Sequence, residues 1–441
     1  MNILRENKIN IILTLAYVIL YALLKNSMII LLFFALIIPL EIYYLVNKKI
    51  DHVICQALML VPLMDITCCY NIPFANIYNS ILAIYLMLFY KDIKLKKFTF
   101  CIYLLTVSLD LIRYLINING EKSVIEIIGL PVFYLNVFLI IIIPKFAQNY
   151  IKIKKYSYSF VVGTLLTILY GFIIRFMAGG LKFALINTDI STRNTGASGD
   201  PNYFGMYICI SIAILLMFAW IEKKKIYKTI YISIFLILLG LSSSSRMFYI
   251  LSAFIILILL FIMLKSLFSK KIWLCFLTIF IFGILLFANR EMIMTNFNYL
   301  SSRFEMADIT SGRNTIAKQY NAYLEDNLTN NIFGIGIPEY HIRSGVKEYA
   351  HNLYLEVIIC HGIIGGIICI FVLICIIQKH FKVTKFVVFL PFIIILISGL
   401  AVNFIEVDSF YLLYGLIYSY IIMNCKEKLK EVNSNEKILI K

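Results

Sequence analysis

Four residues in this chain pair the chemistry of proton transfer with that of anion binding: His351, Arg193, Arg246 and Arg313. Arg246 and His351 each open a long apolar run, and Arg193 and Arg313 lie in the polar segments between such runs. An imidazole, with an unperturbed pKa of about 6.5, accepts a proton near neutral pH, and nearby arginines would keep it neutral and so able to accept. A guanidinium fork grips phosphate oxygens in pairs, where an ammonium acts as a point charge. Arg246 follows Ser242-Ser243-Ser244-Ser245, Arg193 lies in Ser191-Thr192-Arg193-Asn194, Arg313 in Ser311-Gly312-Arg313, and His351 precedes Asn352. These residue types supply a base and cations for an anionic group. The plainer readings are headgroup or capping contacts for the arginines, and capping with Asn352 or simple orientation of an acceptor for His351.

The other titratable residues divide by position. His52 and His380 border basic segments and read as interfacial. His361 is ten residues beyond His351, about 15 Å along a helix and turned to another side, so the two cannot share a metal. With no H-E-x-x-H and no carboxylate cluster, a metal-independent reaction without cofactors is expected. His341 and Arg343 are candidates for acceptor contact, against the plainer reading of solvated loop residues, and Asn352 is a further candidate, against the plainer reading of a cap. Charges inside apolar runs are costly and so draw attention. Asp110 and Arg113, three residues apart, most simply pair with each other. Arg175 either faces an anion-binding cavity or snorkels to the interface. Glu406 and Asp408 either contact an acceptor or begin a helix at the interface.

The elements that must position these residues are membrane helices. Of 441 residues 61% are hydrophobic and only 15% charged, which excludes a soluble fold. At roughly 20 apolar residues per span, about fourteen spans can be drawn. They run at 9–24, 27–46, 52–68, 73–90, 98–117, 123–143, 157–179, 202–221, 227–241, 246–264, 272–289, 351–377, 385–401 and 405–424. The fold class expected is all-α and polytopic, with N-terminal spans in 1–150, central spans in 151–289, a long loop at 290–350, C-terminal spans in 351–424 and a tail at 425–441. Every second connection is basic, from Lys48-Lys49 through Lys223-Lys224-Lys225 to the tail, which predicts cytoplasmic termini and an outer long loop. The net charge of +16 is mostly this topology signal, so nucleic acid is not an expected partner. The first run reads as a retained signal anchor, and the ten cysteines show no metal or redox spacing.

Within the long loop, Ile316, Tyr320, Tyr323 and Leu324 recur at helical spacing after Ser311, a candidate cap, which predicts an amphipathic helix ending at Glu325-Asp326-Asn327. Gly334-Ile335-Gly336-Ile337-Pro338 cannot continue it and allows close backbone approach.

The order of these features, an arginine in a long loop, then His351-Asn352 opening a span, then Gly362 and Gly365-Gly366, resembles the O-antigen ligase and polysaccharide polymerase family. With Gly199-Asp200-Pro201-Asn202 and Ser245-Arg246, the resemblance covers about 190 to 366 and implies about twelve spans. It implies a membrane glycosyltransferase that moves a glycan from undecaprenyl diphosphate to a hydroxyl at the outer leaflet of the bacterial plasma membrane. His351 would be the base, and Arg246, Arg313 and Arg193 would hold the leaving diphosphate. Partners would be the lipid-linked glycan, the bilayer and other assembly or export proteins. A Lys-, Ile- and Asn-rich chain hints at a capsule maker and favours a polymerase. A ligase delivering to a lipid-A core or protein, and a flippase of the same lipid, are the alternatives.

Overall fold

The computed structural model describes residues 7–66, 68–69, 72–89, 97–116, 124–185, 193–222, 226–267, scattered positions between 280 and 301, 312–337, 340–381, 386–403, 405, 407 and 410–422. The predicted span 272–289 for the most part, the cap Ser311, Glu406, Asp408 and the tail 425–441 lie outside the described residues. The helices are α1 (Lys8–Leu24), α2 (Ser27–Val46), α3 (Ile50–Leu60), α4 (Phe74–Phe89), α5 (Lys97–Ile116), α6 (Val124–Phe146), α7 (Tyr150–Leu185), α8 (Pro201–Glu222), α9 (Ile226–Gly240) and α10 (Arg246–Leu267). There follow α11 (Arg313–Asp326), α12 (Leu328–Phe333), α13 (Tyr340–Arg343), α14 (Leu353–Phe381), α15 (Phe386–Ser398) and α16 (Phe410–Ile422).

The protein is an all-α polytopic membrane protein. Among the described residues, five helices are long and apolar enough to cross a membrane, accompanied by shorter apolar ones. Their surfaces agree with that solvent: Met28, Leu31, Ile363, Ile367 and Phe371 point outward, which water would penalise and lipid does not. Only 17% of the most apolar stretch of Leu353–Cys375 is buried, against 83% for Pro201–Glu222, so α14 faces lipid and α8 is a central helix. The split expected at Lys25 is real. Lys25 takes φ 46°, its N–H bonds Tyr21 O, and Asn26 then caps α2 by accepting from Met28 N at 2.9 Å.

The chain forms two compact units. The first takes residues 1–69, 154–309 and 390–398. Its centre is α8, where Gly205 lets Phe248 of α10 approach so closely that a Cβ would stand 2.7 Å from it. The second takes residues 70–153, 310–389 and 399–441. There α4 and α6 are joined by Asn136, whose amide donates to Asn76 O and Ser80 Oγ at 3.2 and 3.0 Å.

Candidate functional site

In the first unit, the structure brings Arg193 and Arg246 to one serine turn. Leu241–Ser243 forms a 3-10 turn, Ser244 is left-handed with φ 45°, and Ser242 to Ser245 are all buried. Arg193 Nε donates to Ser243 O at 3.2 Å, and Asn194 donates to Ser242 through both its backbone N–H and its amide at 3.0 Å. Ser245 Oγ accepts from Phe248 N at 3.3 Å at the start of α10 and donates to Asn202 Oδ1 at 2.6 Å. Arg246 is therefore the first residue of a helix whose entry is fixed by four hydrogen-bonded serines and the 193–202 turn. Arg175 has a different setting. It is buried, folds over the Phe183 ring, and donates to Phe183 O and Ala184 O, beyond the break of α7 at Gly179–Gly180.

In the second unit, α11 buries Ile316, Tyr320 and Leu324 as the helical spacing predicts. Its first turn is entered from Gly312, which takes φ 85°, ψ −11°, a left-handed conformation that glycine adopts without the Cβ cost. These side chains join Ile335, Ile337, Tyr340, Val346, Ala350, Ile359 and Cys360 in one apolar cluster. Two tyrosines in it carry polar links: Tyr320 Oη donates to Glu348 O at 2.8 Å, and Tyr340 Oη accepts from Ala350 N at 2.9 Å. Burial, with the Glu356 carboxylate adding to it, pushes the Tyr340 hydroxyl well above the ordinary tyrosine range.

The segment Ile332–Ile337 packs against the middle of α14, where Gly362 takes φ 69°, ψ −178° and breaks the helix. Ile335 N donates to Ile359 O and Gly336 N to Cys360 O, both at 3.0 Å. A Cβ on Gly334 would meet Cys360 O at 2.2 Å, and one on Gly362 would meet Ile332 O at 2.2 Å. This backbone lies nine residues, about 14 Å, into a membrane-spanning helix. Irregular backbone at that depth persists only where protein satisfies it. Here Asp110 accepts from Ile337 N at 2.9 Å and from Tyr134 Oη at 2.6 Å, while Arg343 donates to Ile335 O and Gly336 O and lies 4.8 Å over the Tyr114 ring.

His351 sits just before α14 in a left-handed conformation, φ 46°, half-buried. Asn352 caps the helix by accepting from Tyr354 N and Leu355 N at 3.0 and 3.1 Å, and Leu353 N bonds Gly399 O at 2.7 Å. One turn on, the buried Glu356 accepts from Ile405 N at 3.3 Å. His341 lies against Tyr349, with ring centres 4.0 Å apart. Arg313 opens α11 and is half-buried. His361 has Asp110 and Arg113 as charged neighbours. Sequence reasoning missed Asp110 as an anchor for a backbone 227 positions away, the Arg343 fork, and Glu356. The signal available for the first two was the pair of glycines in Gly334-Ile335-Gly336.

The family model described as O-antigen ligase matches residues 231–370. The resemblance to the O-antigen ligase family is real. The match takes in the serine turn with Arg246, the helix opened by Arg313, the glycine-broken α14 and His351. Among curated proteins and solved structures, nothing matches the chain.

Proposed function

We propose that this protein is a polysaccharide polymerase, moving a glycan from undecaprenyl diphosphate to the terminal sugar of a second lipid-linked repeat unit at the outer leaflet of the bacterial plasma membrane. The acceptor hydroxyl oxygen bonds the anomeric carbon as the bond from that carbon to the diphosphate breaks. The hydroxyl proton passes to His351, and undecaprenyl diphosphate leaves with its charge held by Arg246, Arg313 and Arg193. The observation that carries this reading is His351 fixed before α14, within the O-antigen ligase match, by a helix cap and by Leu353 N on Gly399 O. These bonds fix the backbone that follows His351, so less remains to be ordered when its imidazole is presented. Alternate basic connections support cytoplasmic termini and an outer site.

The match to the O-antigen ligase family favours a second reading, a ligase that delivers the same donor glycan to a lipid-A core or a protein. Purified protein and His351→Ala, each given lipid-linked repeat units, distinguish the two. A ladder of lengthening products from wild type that vanishes in the variant supports the polymerase. No ladder from wild type, beside an active membrane fraction as control, removes it.

A further inference from the structure

The long loop forms an open cleft of about 840 Å³ between α11 and the turn 344–348. That volume is within the range of about 300–1,000 Å³ typical of small-molecule sites. Its two walls are tied together beneath the surface. Tyr320 Oη donates from α11 to Glu348 O at 2.8 Å, and Ile316 and Val346 belong to the same buried cluster. The cleft is thus formed before any ligand arrives. At its ends Gly312 and Gly345 both hold positive φ, and a Cβ on either would meet nothing within 4 Å, so the space there is open.

The lining argues for the ligand. Thr315, Gln319 and Ser344 offer neutral donors and acceptors, Ile316 and Val346 give an apolar floor, and Lys347 and Glu348 cancel in charge. An isolated diphosphate would find one cation beside an anion. A sugar ring has hydroxyls around its edge and C–H groups on its face, and this mixture suits both. The position agrees. Gly312 immediately precedes Arg313, and Glu348 is three residues before His351, which at about 3.3–3.6 Å per residue puts His351 within about 11 Å of the wall along the chain.

We infer that this cleft is an oligosaccharide subsite, holding the sugars of a repeat unit beside His351. The inference rests on the proposed transferase reading but is tested separately. The probe is the soluble repeat-unit oligosaccharide released by mild acid from the host's lipid-linked units, and binding to the full-length purified protein is read by saturation-transfer NMR. Gln319→Trp, filling the cleft from an exposed helical position, should weaken binding tenfold or more, and Ala322→Trp one turn on should do the same. Lys318→Trp, exposed on α11 outside the cleft, should leave binding within twofold, and His351→Ala should bind while making no ladder. If wild type fails to bind the oligosaccharide, or both cleft variants bind it as wild type does, the inference is overturned. Binding in the cleft by a wild type that makes no ladder would sink the polymerase reading and leave the subsite standing.

Discussion

Replacing Gly334 by alanine tests the packing of the long loop on α14. Gly334 takes φ 78°, ψ 171°, a region open in practice to glycine alone, where another residue costs about 1–3 kcal/mol. The added Cβ would stand 2.2 Å from Cys360 O and 2.4 Å from His361 N. Both are backbone atoms and cannot swing aside, so the loop must lift. The bonds from Ile335 N to Ile359 O and from Gly336 N to Cys360 O then break, each leaving buried groups unpaired at about 1–3 kcal/mol. A total loss of about 4 kcal/mol or more follows. Gly362→Ala, at φ 69°, ψ −178° and 2.2 Å from Ile332 O, strikes the same contact from the other side. The double variant should therefore cost clearly less than the sum of the two, because one displacement relieves both clashes. Gly312→Ala, left-handed but with open space around it, should cost only about 1–2 kcal/mol. Denaturant unfolding of the purified protein in bicelles measures all four. If Gly334→Ala is no worse than Gly312→Ala, or the double variant is strictly additive, the interlocked packing described here is wrong.

Two further outcomes use the same titration. Arg343→Lys should lose about 1.5–3 kcal/mol with no glycan present, because an ammonium cannot fork onto both Ile335 O and Gly336 O. Tyr340 holds its proton more tightly folded than unfolded, so above about pH 10 the unfolded state releases a proton that the folded state keeps. Stability should fall as pH rises from 10 to 11, and Tyr340→Phe should make that fall shallower although its starting stability is lower; equal slopes would remove Tyr340 from the alkaline loss.

Much of the helical layout was legible because membrane spans are written in long apolar runs. The predicted 202–221 and 246–264 lie close to α8 and α10, and the split at Lys25 was visible as a polar break. The buried stripe Ile316, Tyr320 and Leu324 followed from helical spacing alone. What remained hidden depends on distant partners. Gly362 reads as one glycine among several in an apolar run, and only its contact with Ile332 O shows why the helix breaks there. Asp110 suggested a local pair with Arg113, and the bonds that fix its place come instead from Tyr134 Oη and the distant Ile337 N. Arg343 looked like a loop cation until its fork onto the Gly334–Ile337 backbone appeared. Of the candidate site, Asn352 as a cap was readable from its place before an apolar run, and the cleft was not, since its walls lie 30 residues apart.

The reach of Asp110 also bears on the order in which the chain is made. During synthesis its carboxylate enters the membrane with α5, meets Tyr134 only 24 residues later, and waits 227 residues for Ile337. At roughly 5–20 residues per second, that second partner arrives about 11–45 s after the first helix is in place. All 156 residues from 154 to 309 belong to the other unit, so they are translated while the unit that holds Asp110 is still incomplete. Tyr134 is then the early guardian of a charge whose final use lies in a loop not yet translated.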